Sequence, residues 1–247
     1  NFETLGFEQS LILNHDGQYN NYYRNLSRYA GWNVEKQPLT QTPVIQRAFD
    51  SSPIYSDRAL FDTWLSEHNE NVPRATFYQT ISLHDGNKLL GKQSNLSSLE
   101  NFHPRLLSFL NDVNYFFERI ERSGRKVMVI MIPEHGAGVE GDKLQLQGMR
   151  EFPTPALTNV PVGVKFFGAE GLTGETININ TKSSYLAISR LIQQSIQHDL
   201  FGEKTSTLQN IIQTLPVTEF VSENDDSKMI FYKGRYRLQV GDDWLDY

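Results

Sequence analysis

Short apolar segments with strand propensity alternate along this chain with amphipathic helical patterns, and this alternation limits the fold more than any other feature. The segments are apolar on both faces, which is typical of strands buried inside a sheet that is covered on both sides. The strand segments are residues 8–14, 74–83, 127–132 and 160–168, and the helical patterns are residues 18–31, 55–68, 99–124 and 181–196. The alternation predicts an α/β fold with a mostly parallel central sheet flanked by helices.

Two of the helical patterns begin at recognisable N-caps. Ser56 or Asp57 is the predicted cap of the second pattern, and Thr181 or Ser183 is the predicted cap of the fourth. Their side-chain oxygens can accept hydrogen bonds from the free N–H groups of the first helical turn.

The C-terminal residues have a different pattern from the rest of the chain. Met229–Val240 predicts a β-hairpin that turns at Lys233-Gly234. The acidic stretch Ser222–Ser227 predicts a polar loop before it. We therefore predict a main domain at residues 1–221 and an appendage at residues 222–247, made of a polar loop and a small hairpin.

Composition excludes several classes of function. The formal net charge of −6 gives no general attraction for nucleic acid, so we expect no nucleic-acid partner. Because the chain contains no cysteine, it can hold neither a disulfide, a thiolate nucleophile nor a cysteine zinc site. No segment approaches the roughly 18 consecutive apolar residues that span a bilayer, so no transmembrane segment is predicted.

Three of the predicted strands end in similar polar turns, LILNHDG, TISLHDG and IMIPEHGAG. In parallel sheets, ligands gather beyond the carboxyl ends of the strands. We therefore expect His15, His84 and the pair Glu134-His135 to emerge on one rim of the sheet.

These turns have an ordinary structural explanation as well as a functional one. Asp-Gly and His-Gly pairs are common turn residues, and this is the default interpretation of the two HDG sequences. The EHG sequence differs, because carboxylate and imidazole are both good ligands for Zn²⁺ and adjacent residues in a kinked turn can face one site. A two-residue pattern is nevertheless frequent by chance, so packing and metal binding both remain open for Glu134 and His135.

Arg150 lies fifteen residues after His135, before a proline-containing loop that leads into the next strand segment. A guanidinium group can bind phosphate or sulfate oxygens through two parallel hydrogen bonds. Arg150 is therefore either an anion-binding residue of the same rim or an ordinary loop arginine. Asp142, on the same loop, is predicted to be solvated.

The longest stretch that resembles a known family is SGRKVMVIMIPEHGAGVEGDKLQLQGMREFPTPALTNVPVGVKFFG, residues 123–168. It is similar to the bacterial cellulose phosphoethanolamine transferases of the cellulose-biosynthesis operon, which belong to the alkaline phosphatase/sulfatase-like superfamily. The likeness continues, in order, in GFEQSLILNHDGQYNNYYRNL, FDSSPIYSD, ATFYQTISLHDGN, SSYLAISRLIQQSI and VSEN. It covers nearly the whole chain and implies an alkaline phosphatase/sulfatase-like fold.

The resemblance also implies roles for individual residues. Glu134 and His135 match paired zinc ligands, so zinc is the implied cofactor. His84 and Arg150 match residues that are expected to contact the transferred phosphoryl group and thereby serve as catalytic and substrate-binding residues. His15 matches a family histidine without an assigned role.

The implied reaction transfers phosphoethanolamine from phosphatidylethanolamine to a glucose hydroxyl of cellulose. Zinc activates a Ser or Thr nucleophile, which carries the group as a covalent intermediate. The resemblance further implies a periplasmic domain of a bacterial inner-membrane protein, with the cellulose synthase complex as a partner.

In the family, the nucleophile and one further zinc ligand lie before the segment that matches LGFEQSLILNH, which starts here at Leu5. The chain therefore resembles the C-terminal portion of the catalytic domain. Since catalytic zinc sites use three or more protein ligands, we expect this chain to be inactive alone and to hold zinc weakly.

Two other functions remain open from the sequence. A metal-dependent phosphodiesterase or sulfatase would use water as the acceptor, and product analysis with and without cellulose would distinguish it. A non-catalytic module that binds a polysaccharide or a cellulose-synthase partner would keep its role without Glu134 and His135. The aromatic content of 12% permits sugar stacking, although no aromatic stripe is evident.

Overall fold

The computed structural model describes residues 2–15, 39, 41–67, 72–91, 96–172, 174, 176–202 and 205–247. The chain divides into two compact units, Asn1–Arg119 and Ile120–Tyr247. The helix predicted at residues 18–31 lies outside the described residues. Among the helices that are described, none combines the length and the apolar character that crossing a membrane requires.

The described part of the chain contains a short 3-10 helix, five α-helices and eleven strands. The 3-10 helix is Glu3–Leu5, and the α-helices are α1 (Asp57–Ser66), α2 (Ser98–Ser123), α3 (Pro155–Thr158), α4 (Tyr185–Gln197) and α5 (Thr205–Gln213). The strands are β1 (Glu8–Leu13), β2 (Val44–Arg47), β3 (Pro53–Tyr55), β4 (Arg74–Gln79), β5 (Lys88–Leu89), β6 (Val127–Met131), β7 (Gly163–Phe167), β8 (Phe220–Asn224), β9 (Ser227–Tyr232), β10 (Arg235–Val240) and β11 (Asp243–Asp246). This content confirms the mixed α/β class.

The first unit contains a parallel strand pair. β1 and β4 run side by side in register, from Glu8 opposite Arg74 to Leu13 opposite Gln79. Parallel neighbours need a long crossover connection, and the chain between them includes α1. Leu11, Ile12 and Leu13 are all buried, which explains the uninterrupted apolar run at the end of β1.

Helix α1 confirms one of the predicted caps. The Ser56 hydroxyl accepts a hydrogen bond from the Ala59 N–H at 3.2 Å and thereby satisfies a free donor of the first turn. The buried face of α1 packs on α2, since the Phe61 and Phe116 rings stack with centroids 4.5 Å apart. Trp64 meets the same Phe116 ring edge-on at 5.4 Å.

Strand direction in the second unit differs from the prediction. β6 and β7 pair antiparallel, with Val127 opposite Phe167 and Met131 opposite Gly163. The sheets β3-β2-β5 and β11-β10-β9-β8 are also antiparallel, so a mostly parallel central sheet is wrong for the strands that the structure describes. An apolar run indicates burial but not direction, which depends on the connection between the strands.

The predicted C-terminal hairpin is confirmed as the centre of a larger sheet. β9 and β10 pair antiparallel around Lys233 and Gly234, which have φ angles of 49° and 82°. Positive φ at both central residues is typical of the tight turns that match the twist of a hairpin. β8 and β11 flank this hairpin in a four-stranded sheet.

The prediction of a polar loop at residues 222–227 is wrong. Ser222 to Asn224 belong to β8, Ser227 begins β9, and Asp225-Asp226 form the turn between them. Every residue of β8 is exposed, so this edge strand lacks the polar–apolar alternation by which strands are recognised. The domain division at residues 221 and 222 stays a prediction, and β8 runs across it.

Helix α4 begins later than predicted, with Ser184 as its cap rather than Thr181 or Ser183. The Ser184 hydroxyl accepts a hydrogen bond from the Leu186 N–H at 3.3 Å. The preceding backbone is engaged elsewhere, because the Lys182 carbonyl accepts a hydrogen bond from the Thr218 N–H at 3.0 Å. This pairing between distant segments is not visible in the local sequence.

Candidate active site

Glu134 and His135 occupy a tight turn just after β6, which we call the PEHG turn (Pro133–Gly136). Pro133 has no backbone N–H and therefore cannot continue the strand ladder of β6. The Gly136 N–H donates to the Leu157 carbonyl at 2.7 Å, which fastens the turn to α3. Glu134 is exposed and His135 is half-buried, so both side chains are available at the end of the strand.

The imidazole of His135 has a defined hydrogen-bonding state. Its Nδ1 atom lies 2.8 Å from the Gly136 carbonyl oxygen. Because a carbonyl oxygen only accepts, Nδ1 carries the proton and donates it, which leaves the lone pair of a neutral ring on Nε2. A backbone carbonyl that orients the ring in this way is the usual partner of a metal-ligating histidine.

Tyr185, at the start of α4, lies within electrostatic reach of Glu134. The pKa of its phenol is raised from the ordinary value, first by partial burial and then by the negative charge of Glu134. The sequence analysis did not identify Tyr185, because the two residues are about fifty positions apart and no pattern connects them.

The donors of the PEHG turn suit a zinc ion but do not complete its coordination. A carboxylate and a neutral imidazole Nε2 are both common zinc ligands. Within the described ranges, no group of three His, Cys, Asp or Glu residues is arranged to hold a metal ion. A tetrahedral site built on Glu134 and His135 therefore needs at least one further protein ligand.

Arg150 lies on an exposed part of the loop that follows the PEHG turn, and that loop is held by the buried side chain of Gln145. The Gln145 amide donates to the Phe152 carbonyl at 2.9 Å and accepts from the Phe152 N–H at 2.8 Å. This pair of bonds joins the loop positions before and after Arg150. The sequence analysis missed Gln145, which carries no motif.

Asp142 is not simply solvated, in contrast to the prediction. Its carboxylate accepts hydrogen bonds from the Thr154 hydroxyl and from the Leu144 N–H, the latter at 2.8 Å. Partial burial acts to raise the pKa of Asp142, but these hydrogen bonds outweigh it and lower the pKa. Asp142 thus ties the beginning of the Arg150 loop to its end.

We expect replacement of Gln145 by alanine to loosen the Arg150 loop. The substitution leaves the Phe152 N–H and carbonyl without their partner, which costs about 1 kcal/mol in unfolding free energy. Hydrogen exchange of the peptide 142–154 should become faster in Gln145→Ala. The exposed neighbour Gln147→Ala is the control, and equal exchange in both variants would contradict the role assigned to Gln145.

His84 follows β4 in the first unit and is exposed. Its Nδ1 atom lies 2.8 Å from the Asp85 carbonyl, the same bond to the next residue that His135 makes. The Nδ1 proton is again fixed, so Nε2 of a neutral ring can accept a proton. The ring lies nearly parallel to that of Phe49, with centroids 6.0 Å apart.

A buried arginine fixes the backbone of the His84 turn. Arg105 is fully buried, and its Nη1 donates to the carbonyls of Ser82 at 2.9 Å and His84 at 2.8 Å. Burial lowers the pKa of Arg105, with the charge of Asp85 opposing this shift. The sequence analysis missed Arg105, although its position three residues after Phe102 places it on the apolar face of α2.

A buried polar network lies at the carboxyl ends of β1 and β4. The Asn14 amide donates to the Ser82 hydroxyl at 2.8 Å and to the Thr80 hydroxyl at 2.9 Å. The hydroxyls of Ser82 and Tyr78 in turn donate to the carboxylate of Asp57. The network therefore connects both strand ends to the first residue of α1 and to the segment that leads to His84.

The structure agrees with the predicted rim only in the direction of the strands that precede His15 and His84. Because β1 and β4 are parallel, His15 and His84 follow strand ends at the same edge of this pair. His15 is buried and forms a β-bridge with Ile54, so it serves packing rather than an open site. Glu134 and His135 belong to the other compact unit, and their place on the same rim stays a prediction.

The structure therefore defines a mixed α/β chain with a carboxylate and an imidazole side by side at the end of a strand. Sequence comparison gives the particular family. Residues 1–244 match the sequence model of the C-terminal domain of the cellulose biosynthesis protein BcsG, and the chain belongs to this family.

Two curated relatives align with the whole chain. The cellulose biosynthesis protein BcsG of Escherichia coli K12 is 38% identical over 251 aligned residues, and that of Salmonella typhimurium LT2 is 37% identical over the same length. The alignments cover 100% of this chain and 44% of each relative. The chain thus spans less than half the length of these proteins.

Proposed function

We propose that this chain forms the C-terminal part of a zinc-dependent enzyme that transfers phosphoethanolamine from phosphatidylethanolamine to glucose hydroxyls of cellulose. The observation that carries the proposal is the PEHG turn, in which Glu134 stands beside an imidazole whose Nε2 is left available by the bond from Nδ1 to the Gly136 carbonyl. Membership of the BcsG family supports a role in cellulose biosynthesis. The proposal includes an alkaline phosphatase/sulfatase-like fold.

Each candidate residue has a chemical task in this proposal. The Glu134 carboxylate and His135 Nε2 hold the metal together with at least one further protein ligand. Zinc held there would lower the pKa of a hydroxyl nucleophile and neutralise charge on the phosphoryl group. The Arg150 guanidinium binds phosphoryl oxygens through paired hydrogen bonds.

His84 contacts the phosphoryl group or its leaving oxygen in the proposed reaction. With Nδ1 held on the Asp85 carbonyl, Nε2 is the atom that accepts or donates a proton there. Arg105 fixes the peptide groups on either side, so the imidazole is presented from a rigid turn. The proposal also includes a periplasmic location and the cellulose synthase complex as a partner, as the family resemblance implies.

Zinc binding tests the proposal directly. We expect a version of the protein extended to the length of its relatives to bind one zinc ion, and Glu134→Ala/His135→Ala to lower the affinity about 100-fold or more, since two side chains that bind the metal are lost. Elemental analysis and zinc titration measure both quantities. This chain alone should bind zinc more weakly than the extended protein.

The matched control is Glu140→Ala/His103→Ala, which removes an exposed carboxylate and an exposed imidazole outside the PEHG turn. It should leave zinc binding unchanged. If the extended protein binds no zinc, or if both double variants bind it equally, the assignment of Glu134 and His135 as zinc ligands is wrong.

Product analysis identifies the reaction of the extended protein. Phosphoethanolamine found on glucan supports the transferase, whereas its release into water regardless of added cellulose would indicate a hydrolase. Turnover by this chain alone that is abolished by Glu134→Ala would contradict the expectation that the chain is inactive by itself.

A further inference from the structure

The central strands β9 and β10 of the C-terminal sheet bury side chains on one face and expose side chains on the other face near the turn that joins them. Met229 and Leu238 lie opposite each other in the β9–β10 register and are both buried. Successive side chains of a strand point to opposite faces, so the pair formed by Tyr232 and Arg235, three register positions away, lies on the other face. Tyr232 and Arg235 are exposed, which shows that this second face is open to solvent.

An open pocket on this second face combines charges of both signs. It is lined by Tyr232, Lys233, Arg235, Arg237 and Asp246. The Asp246 carboxylate pairs with Arg235 Nη1 at 3.1 Å and with Arg237 Nε at 3.3 Å. One carboxylate thus orients two guanidinium groups, and the pocket carries three cations and one anion.

The aromatic wall of the pocket already accepts a cation. The Lys233 ammonium lies 5.0 Å from the centroid of the Tyr232 ring, which is within the range of cation–π attraction. Tyr232 is about half exposed, so part of its ring is open to a ligand ammonium. The pocket therefore offers guanidinium and ammonium donors for an anionic group, and a carboxylate and a ring face for a cationic one.

We propose that this pocket binds a phosphate ester that also carries an ammonium group. Arg235, Arg237 and Lys233 would hold the phosphoryl oxygens, and Asp246 with the Tyr232 ring would hold the ammonium. The proposal rests on the proposed function for its choice of phosphoethanolamine as the ligand, but it concerns residues other than those of the PEHG turn. It describes a binding site without chemistry of its own.

The distribution of charge on the sheet favours this small zwitterion over a polyanion. The β8–β9 and β10–β11 turns lie together at the opposite end of the sheet, because Ser227 pairs with Val240. Acidic side chains crowd that end, namely Asp225, Asp226, Asp242 and Asp243. An extended anionic surface would meet these carboxylates as well as the basic pocket, whereas a single phosphoethanolamine group would not.

Titration of the isotope-labelled chain, followed by NMR in the presence of a metal chelator, tests the site. The probes are O-phosphorylethanolamine, glycerophosphoethanolamine and a phosphoethanolamine ester of glucose. Inorganic phosphate serves as a purely anionic probe and ethanolamine as a purely cationic probe. We expect the phosphoethanolamine probes to shift the amide resonances of Tyr232, Lys233 and Arg235. They should bind about tenfold more tightly than inorganic phosphate or ethanolamine, because each of these two smaller probes lacks one of the two charged contacts.

The diesters distinguish two sources of the ligand. Tighter binding of glycerophosphoethanolamine would assign the pocket to a lipid headgroup, and tighter binding of the glucose ester would assign it to the product of the proposed transfer. Either result supports the proposal. Phosphate that binds as tightly as phosphoethanolamine would overturn it in favour of a plain anion site.

Variants that reverse or remove single charges complete the test. Arg235→Glu should weaken binding of every phosphate-containing probe, and Asp246→Asn should weaken phosphoethanolamine but not inorganic phosphate. Lys228→Glu, on the same exposed face but outside the pocket, is the control and should bind as the wild type does. Circular dichroism checks that each variant is folded, and equal binding by Arg235→Glu and Lys228→Glu would overturn the proposal.

Binding of the probes at this pocket is expected to be independent of the metal site. Glu134→Ala/His135→Ala should bind the probes at this pocket as the wild type does, since no zinc is involved. Absence of binding by the wild-type chain would therefore overturn the pocket and leave the zinc measurement to decide the proposed function separately.

Discussion

Replacement of Asp57 by alanine is expected to lower the unfolding free energy by about 3 kcal/mol, because it removes the buried acceptor of the polar network at the ends of β1 and β4. The hydroxyls of Tyr78 and Ser82 donate to this carboxylate, and the Asn14 amide lies 3.3 Å from it. The two hydroxyls would lose this acceptor in a buried site, whereas the Asn14 amide would keep its bonds to the Ser82 and Thr80 hydroxyls. Urea denaturation followed by circular dichroism measures the change.

Two further variants separate the network from simple loss of volume. Ser82→Ala removes one donor and leaves the carboxylate in place, so its expected cost is about 1 kcal/mol. Thr63→Ala, on the same helix α1, removes a hydroxyl that bonds only to its own helix at the Ala59 carbonyl. If Asp57→Ala costs no more than Thr63→Ala, the network does not stabilise the fold.

The contribution of Asp57 to stability depends on pH. Burial raises the pKa of Asp57, and the hydrogen bonds from Ser82 and Tyr78 oppose the shift without cancelling it. The folded state therefore keeps this proton to a higher pH than the unfolded chain does. The resulting stabilisation is full below the unfolded pKa of about 3.9 and is lost as the pH rises through the folded pKa.

The free-energy difference between the wild type and Asp57→Asn should accordingly shrink as the pH is raised from about 4 toward neutrality, because the variant has no proton to release. A difference that grows over this interval would show that the hydrogen bonds, rather than burial, dominate the pKa of Asp57.

Replacement of Gly136 by alanine is expected to distort the PEHG turn. A Cβ atom at this position would lie 1.9 Å from the Ala156 carbonyl oxygen and 3.1 Å from the Leu157 Cα, both of which belong to the backbone of α3. Neither can move aside as a flexible side chain would. The clash would also break the hydrogen bond from the Gly136 N–H to the Leu157 carbonyl, so we expect a loss of about 2 to 3 kcal/mol in unfolding free energy.

Zinc binding should weaken in Gly136→Ala, because the displaced Gly136 carbonyl no longer orients the His135 ring. Zinc titration of the extended protein measures this effect. Gly163→Ala is a matched control, since a Cβ atom there would meet no atom within 4 Å. Unchanged zinc affinity in a destabilised Gly136→Ala would contradict the link between turn geometry and the metal site.

Local signals predicted much of the fold correctly. Ser56 was one of two predicted caps of α1, the extent of α2 agrees within a residue at each end, and the Lys233-Gly234 turn lies where the hairpin pattern indicated it. Each of these features depends on residues a few positions apart. Ser184, by contrast, was missed as a cap because the preceding backbone bonds to Thr218.

The candidate site was predicted in its motif but not in its support. Glu134, His135, His84 and Arg150 were identified from strand-end patterns and family resemblance, and their catalytic roles stay predictions. Arg105, which supports His84, is 21 positions away along the chain, and buried polar side chains such as Arg105 and Gln145 follow no motif. The hydrogen bonds that they make become visible only when the segments are assembled.

The sequence alone determined the α/β class, the positions of most helices and strands, and the pairing of a carboxylate with an imidazole at the end of β6, because these follow from periodicity and from neighbouring residues. Only the tertiary structure decided strand direction, the burial of His15 and the Asp57 network. Each of these depends on contacts between residues far apart in the chain. A sequence pattern predicts which side chains are buried. It does not predict which other segment packs against them or in which direction that segment runs.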